Sequence, residues 1–410
     1  REAAIDGAAL ALTGDTSRDS TLDIWAPQGV AAVAFNGQAL TTHANAYGGL
    51  TAAAVPGPAS VTPPDLMTIR WERRSGSPEA DPNFDDSGWR KADLATSNAT
   101  AATQPPAGQP VLDMSQYGFH HGDVWYRGRF TVGAKSTIDS SDFFYGGGAA
   151  GLMQVWIDGQ FVGQDEIPGG DPRPKGTARA HFDLNKLTPG AHEISVMVRN
   201  NAHNWDLAAD DEHKEARGLI SASLSQKGGA PFAVPIDWKI QGDKGGEHIA
   251  DLVRGPMNNG GLYGERMGWY LPARRSDAGW TAAAPTDAPP NAGTYWLRAR
   301  VPLDFPKDQD VQLGLQIGDP DTPQSTHKTR ALIFVNGWHV GNFAANIGPQ
   351  HVFVLPQGII DPDGDNTLTL AVTTDGQPQN ALEPVKLVVL HNMRGGVPLD
   401  IVPSPSSMQR

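Results

Sequence analysis

The sequence predicts an all-β chain: two related β-sandwiches preceded by a small β-unit. Three observations carry that expectation. One strand–turn–strand pattern occurs twice, turn residues punctuate the chain at short intervals, and helical periodicity is scarce. The first copy runs from Asp85-Asp86-Ser87-Gly88-Trp89 through Trp125-Tyr126-Arg127-Gly128-Arg129-Phe130 to Val155-Trp156-Ile157-Asp158-Gly159-Gln160-Phe161-Val162-Gly163. The second runs from Ser276-Asp277-Ala278-Gly279-Trp280 through Tyr295-Trp296-Leu297-Arg298-Ala299-Arg300-Val301 to Ile333-Phe334-Val335-Asn336-Gly337-Trp338-His339-Val340-Gly341. Self-similarity on this scale fixes architecture before any motif is interpreted. What recurs is turn and core chemistry, not a catalytic centre.

Taken in order, residues 1–65 read as a small and incomplete β-domain. Thr21-Leu22-Asp23-Ile24-Trp25-Ala26-Pro27 alternates and stops at Pro, and Ala32-Val33-Ala34-Phe35 ends in the hairpin signal Asn36-Gly37. Residues 66–228 form the expected first sandwich, with strand-like stretches at 124–130, 152–157, 180–182 and 193–198. Residues 229–400 form the second, entered through a linker and closed by strands near 367–373 and 385–390. Residues 401–410, rich in Pro and Ser, read as a loosely held tail.

Composition narrows the function classes. The chain has 410 residues, enough for two or three cores, and 39% of them are hydrophobic. Gly 47 and Pro 33 make up about a fifth, which is turn-rich without being disordered. Net charge is −13 and no basic stripe is present, so a nucleic-acid partner is not expected. No apolar run reaches the length of a membrane span. The chain has no cysteine, which excludes disulfides, thiolate metal ligands and thiol nucleophiles. Arg1 to Leu12 read as the interior of a globular unit rather than a signal peptide, as expected of a mature product, a subunit or a truncated chain.

The motifs each admit a plain reading and a functional one. Asp158-Gly159 and Asn336-Gly337 suit two-residue turns that need positive φ, with Val155, Ile157, Phe161, Phe334, Val335 and Val340 alternating toward a core. Arg127 and Arg129, like Arg298 and Arg300, share one face of a strand, either salt-bridged within the chain or offered to a docking domain. Trp89 and Trp280 plug a sandwich end or stack on a sugar. His203, Asn204, Trp205, Asp206 and the acidic run to His213 form either a solvated loop or a weak hard-cation site. Gly260-Gly261-Leu262-Tyr263-Gly264-Glu265-Arg266 lacks the ending of a phosphate loop. His120 and His121 are adjacent and point apart on a strand, so no metal site is assigned. With 45 acidic residues, pairs such as Asp210/Asp211 and Asp165/Glu166 arise by chance, and no catalytic residue is assigned.

Together these segments resemble the C-terminal, non-catalytic half of family-35 β-galactosidases of the large fungal type. The resemblance rests on Asp23 to Gly37, Phe84 to Trp89, Tyr117-Gly118-Phe119-His120, Trp125 to Phe130, Ala216-Arg217-Gly218-Leu219-Ile220, Gly261 to Trp269 and Asn346-Ile347-Gly348-Pro349-Gln350, in that order. It implies that the two sandwiches are galactose-binding-like jelly rolls. It also implies a (β/α)₈ barrel elsewhere, whose two glutamates carry out retaining hydrolysis. No β/α alternation and no matching glutamate motif occurs in this chain, so none of those residues transfers.

The expected role is the accessory half of a secreted enzyme that hydrolyses terminal β-D-galactosides. Its partners are then the catalytic barrel, on another chain or removed, and the galactoside; no cofactor is expected. A stand-alone carbohydrate-binding protein is the alternative, with Trp205, Trp338, His203 and Asp206 as sugar contacts. A purely structural assembly module is a third reading, with an apolar patch awaiting a partner.

Overall fold

The computed structural model describes residues 2–100, 105–106, 108–168, 176–201, 215–227, 234–243, 260–272 and 278–395. The small unit holds β1 (Glu2–Asp6), β2 (Ala9–Thr13), β3 (Ser20–Ile24), β4 (Ala32–Phe35), β5 (Gln38–Leu40), β6 (Thr42–Ala44) and β7 (Leu50–Val55). They form a sheet ordered β1-β2-β4-β5 facing a second ordered β3-β7-β6, around Leu10, Ile24 and Val33.

Next come β8 (Trp71–Ser75), β9 (Arg90–Lys91), β10 (His121–Val132), β11 (Ser140–Gly146), β12 (Leu152–Ile157), β13 (Gln160–Glu166), β14 (Thr177–Asp183), β15 (Gly190–Asn200), β16 (Gly218–Ser225) and β17 (Asp237–Asp243). A single helical turn, α1 (Tyr263–Arg266), precedes β18 (Thr281–Ala283), β19 (Gly293–Pro302), β20 (Gln309–Ile317), β21 (Arg330–Val335), β22 (Trp338–Ala344), β23 (Val352–Leu355), β24 (Asp365–Thr374) and β25 (Val385–Arg394). Each sandwich pairs a six-stranded sheet with a three-stranded one. The first is β13-β12-β15-β10-β17-β9 over β14-β11-β16, and the second is β18-β8-β19-β24-β21-β22 over β23-β20-β25. This is the all-β, double-sandwich architecture that the repeat predicts.

Strand pairing departs from the expected boundaries at two places. β8 lies in the stretch assigned to the first sandwich but pairs with β19 and β18 of the second. β17 lies beyond position 229 but pairs with β10 of the first. The first sandwich is therefore inserted between β8 and the rest of the second. Both strands are short and polar-edged, so the alternation that identifies them as strands says nothing about their partners.

The hairpin turns form as their chemistry dictates. Asn36, Asp158 and Asn336 sit at φ 49, 51 and 49°, and the glycines after them at φ 78, 77 and 84°. Positive φ at both positions gives the turn whose twist matches the strands it joins. Both long hairpins also carry a register irregularity at the same place, between Val155 and Trp156 and between Ile333 and Phe334.

One interior strand of each six-stranded sheet is buried on both faces. Every residue of β12 and of β21 is buried. In β12, Met153, Val155 and Ile157 enter the sandwich core, while Leu152 and Trp156 face outward into a separate cluster. In β21, Ala331, Ile333 and Val335 enter the core, while Leu332 and Phe334 face outward. Phe161 and Phe334 were expected in the sandwich cores but belong to these outer clusters. An antiparallel sheet commonly solvates one face; here the outward faces are covered, which places the functional question on what covers them.

Replacing Gly159 by Ala tests the turn geometry. A Cβ there meets Pro82 Cδ at 3.0 Å on a backbone of positive φ, and should cost about 1–2 kcal/mol. Gly88→Ala has open space and should leave the urea midpoint unchanged.

Candidate functional site

The outward faces of both six-stranded sheets are closed by polypeptide and by one another. On the first, Trp125 and Trp156 stack at 5.3 Å, joined by Trp89 and Phe161. On the second, Trp296 and Phe334 stack at 5.7 Å, joined by Trp269 and Trp280. Trp89 and Trp280 were expected to plug sandwich ends; they lie instead on these outer faces.

The Arg-x-Arg strand of each sheet, β10 or β19, carries one buried arginine at the equivalent position. Arg127 donates through Nε to Asp86 at 3.0 Å and through Nη2 to Glu193 at 2.6 Å. Arg298 donates to Glu72 through Nε at 2.9 Å, and its guanidinium lies 4.2 Å over the Trp280 ring. Arg129 shares Asp86 at 2.7 Å, and Lys239 reaches the same carboxylate at 2.9 Å. The alternating arginines do share one face, and that face is salt-bridged within the chain. A docking role is ruled out for Arg127, which is fully buried.

Electrostatics follow from these contacts. Burial opposes ionisation of Asp86, but Lys239, Arg129 and Arg127 outweigh it and draw its pKa down to about 2. Burial raises Glu193 despite Arg127 and Arg129. Both carboxylates touch Arg129 Nη2, at 2.7 and 3.5 Å, so they are clamped by shared cations. A retaining pair instead faces across an open gap of about 5 Å. Beside the clamp lies an open groove of about 560 Å³ whose lining includes Arg129, Asp158, His192, Glu193 and Asp237. Both His192 nitrogens are engaged, by Asp158 at 2.6 Å and the Thr188 carbonyl at 2.7 Å.

Where the two sandwiches meet, the contacts are polar and buried. Arg199 makes a two-point pair with Asp123 at 2.8 and 3.1 Å and also donates to Thr373 of the other sandwich at 3.1 Å. Gln154 donates to the Thr374 carbonyl at 2.8 Å. Glu166 of the first sandwich accepts from Arg330 at 3.0 Å and Asn346 at 2.7 Å of the second. Burial opposes the Glu166 charge, yet Arg330 and Asn346 hold its pKa below the ordinary value.

The glycine-rich stretch 260–271 is wedged into this junction. Gly261 packs so closely that a Cβ would fall 2.0 Å from the Asp123 carbonyl, and one on Gly264 would fall 2.4 Å from Trp296. Tyr263 meets Phe84 edge-on at 6.1 Å, and Arg266 pairs with the buried Glu79. Glu265 closes the turn by accepting from the N–H groups of Gly260 and Leu262. Its own burial pushes its pKa up to about 7, against those N–H groups and with Asp123 adding to the rise.

Of the sequence-derived sugar contacts, His203, Trp205 and Asp206 lie outside the described residues, as does the acidic run to His213. Trp338 opens β22 directly after the Asn336-Gly337 turn and is partly buried. His120 is exposed, and no cluster of three metal-binding side chains occurs among the described residues. Sequence reasoning passed over Glu166, Arg330 and Arg266. The signal available was that two stretches carrying the family resemblance, around Arg266 and Asn346, supply their junction contacts.

Residues 84–204 and 263–378 match the family described as "Beta-galactosidase second all-beta domain", and residues 1–51 match "Beta-galactosidase, domain 3". Among curated proteins, a probable β-galactosidase C of Aspergillus fumigatus is 32% identical over 97% of this chain and 39% of its own length. One from Penicillium rubens is 33% identical over 97% of this chain and 38% of its own. A probable β-galactosidase B of Neosartorya fischeri is 34% identical over 91% and 36%. The chain thus spans well under half the length of these relatives.

Removing Arg127 while keeping bulk, as Arg127→Met, leaves Asp86 to Arg129 and Lys239 and leaves Glu193 only Arg129 at 3.5 Å, and should cost about 3 kcal/mol in denaturant unfolding. Arg300→Ala, at an exposed pair with Asp365, should barely move the midpoint.

The pH response has two signs. Asp86, depressed from 3.8 to about 2, contributes stability above about pH 4 that is lost as pH falls toward 2. Glu265, raised from 4.5 to about 7, contributes stability below about pH 4.5 that is lost as pH rises toward 7. Thermal melts of Glu265→Gln should lose the decline between pH 4.5 and 7 and keep the acid-side loss.

Proposed function

This chain belongs to the β-galactosidase second all-beta domain family, and from that premise we propose that it is the accessory, non-catalytic half of a β-galactosidase. The complete enzyme releases terminal β-D-galactose, and its two reacting carboxylates lie on a barrel outside this chain. This half braces the barrel and walls part of the approach to it. The observation that carries the reading is the fate of the buried carboxylates. Asp86, Asp123, Glu72, Glu166 and Glu193 each pair with an arginine, and Glu265 with backbone N–H groups, so each is committed to a structural contact, within a sandwich or, for Glu166, between the two.

The relatives' extra length supports a larger catalytic partner, since more than half of each lies outside the stretch this chain matches. Export from the cell is part of the reading, and recovery of the chain from culture medium rather than from cells tests it. Trp338, with Trp205, His203 and Asp206, remains the proposed sugar contact.

The decisive assay compares the purified chain with its native assembly on nitrophenyl β-D-galactoside. The chain alone should show no turnover above background, and the assembly should turn over. Turnover by the chain alone, abolished by replacing one of its own carboxylates, contradicts the proposal.

A further inference from the structure

The small N-terminal unit has two unlike ends. At one end, the Asn36-Gly37 turn, Gly14 and Thr16 are tied to the second sandwich. Thr16 and Arg394 exchange backbone hydrogen bonds of 3.0 and 2.9 Å, and Asn392 reaches the Ala59 carbonyl at 2.9 Å. The other end gathers the Gly7-Ala8 turn, the link from Trp25 to Ala31, and the Asn45–Gly49 turn. The connections fix this: Ala31 and Ala32 donate to the Ala8 carbonyl, and Ile24 and Ala44 both pair with Leu50.

That free end is apolar. Tyr47 is 83% exposed, Trp25 66% and Ile5 52%, and these are three of the six large hydrophobic side chains exposed among the described residues. Ile5 sits opposite Leu10 in the β1–β2 register, so both point to the core face; Leu10 is buried and Ile5 is not. All five residues of β1 are exposed, and β1 is the edge of its sheet. A four-stranded sheet thus overhangs a three-stranded one by one strand whose inward face has no cover among the described residues. Exposed apolar edges of this kind are templates for strand addition.

We infer that β1, with Ile5, Trp25 and Tyr47, is the seat of the catalytic part of the enzyme, which adds an extended strand along β1 and covers the apolar end. The inference rests on the accessory-half reading above. Two observations select this occupant. The relatives carry more than half of their length beyond the stretch matched here, and that polypeptide must attach somewhere. The outward faces of both six-stranded sheets and the opposite end of the small unit are already occupied by this chain. The competing surface is the outer side of β23-β20-β25, where Val354 and Leu390 are 54% and 43% exposed. Its edge strands β23 and β25 are buried or half-buried over most of their length, whereas β1 is exposed throughout.

The test is hydrogen exchange on the chain alone and on the native assembly. The amides of residues 3–6 should slow at least tenfold in the assembly, while those around Val354 and Leu390 stay unchanged. In parallel, Ile5→Glu with Trp25→Ala should cut retention of the catalytic polypeptide at least tenfold without changing the melting temperature of the chain alone. Equal exchange at β1 in both samples, or slowing confined to β23-β20-β25, overturns the inference. So does concentration-dependent pairing of two copies through β1 with no added slowing in the assembly. An assembly that hydrolyses galactoside but leaves β1 unprotected removes this inference alone. A native species that consists of this chain only removes the accessory reading with it.

Discussion

The structure depends on one constraint: β12 and β21, one interior strand of each six-stranded sheet, have no solvent face. One side of β12 and β21 builds a sandwich core, and the other must be covered by something of equal chemistry. The cover is partly aromatic, through the Trp125/Trp156 and Trp296/Phe334 stacks. Elsewhere it is ionic, through Arg199 with Asp123 and Arg330 with Glu166. Buried ion pairs add little net stability over a well-packed apolar contact, but stranding one partner is costly. Such a junction therefore specifies one relative placement of the two sandwiches more than it strengthens them.

That placement is what an accessory half has to supply. A brace for a catalytic domain needs rigidity and a defined docking end more than a cleft of its own. The two sandwiches use similar devices, a buried arginine and an aromatic stack on the outer sheet face, yet they differ where the wedge at 260–271 enters. Only Gly fits at Gly261 and Gly264, because the Asp123 backbone and Trp296 leave no room for a side chain. The small unit differs again. Its core is thin, and its free end has the exposed aromatics that the sandwiches keep covered.

Much of the fold was legible in residues. Asn36-Gly37, Asp158-Gly159 and Asn336-Gly337 encode their turns locally, and the repeat of Arg-x-Arg strands announces two related sheets. The stretch 152–157 was legible as a strand, with Val155 and Ile157 alternating toward a core, but that all six of its residues are buried emerged only with the sheets assembled. What was not legible depends on partners distant in sequence. β8 pairs across more than two hundred positions with β19, and nothing in Trp71-Glu72-Arg73-Arg74-Ser75 names that partner. Glu166 looked like one of many chance acids beside Asp165. Its meaning appears only when Arg330 and Asn346 arrive from the other sandwich. The outward turn of Trp89 and Phe334 was missed for the same reason: alternation tells which residues share a face, but not which face lies inside.

The most direct test of the central claim is calorimetric unfolding of the intact chain beside Arg330→Met. If the junction makes one body of the two sandwiches, the unaltered chain unfolds them in a single cooperative transition. Loss of the Arg330 charge, which leaves the Glu166 carboxylate without its cation, then separates that transition into two. Two independent transitions in the unaltered chain, or an unsplit and unshifted transition in Arg330→Met, would contradict the account.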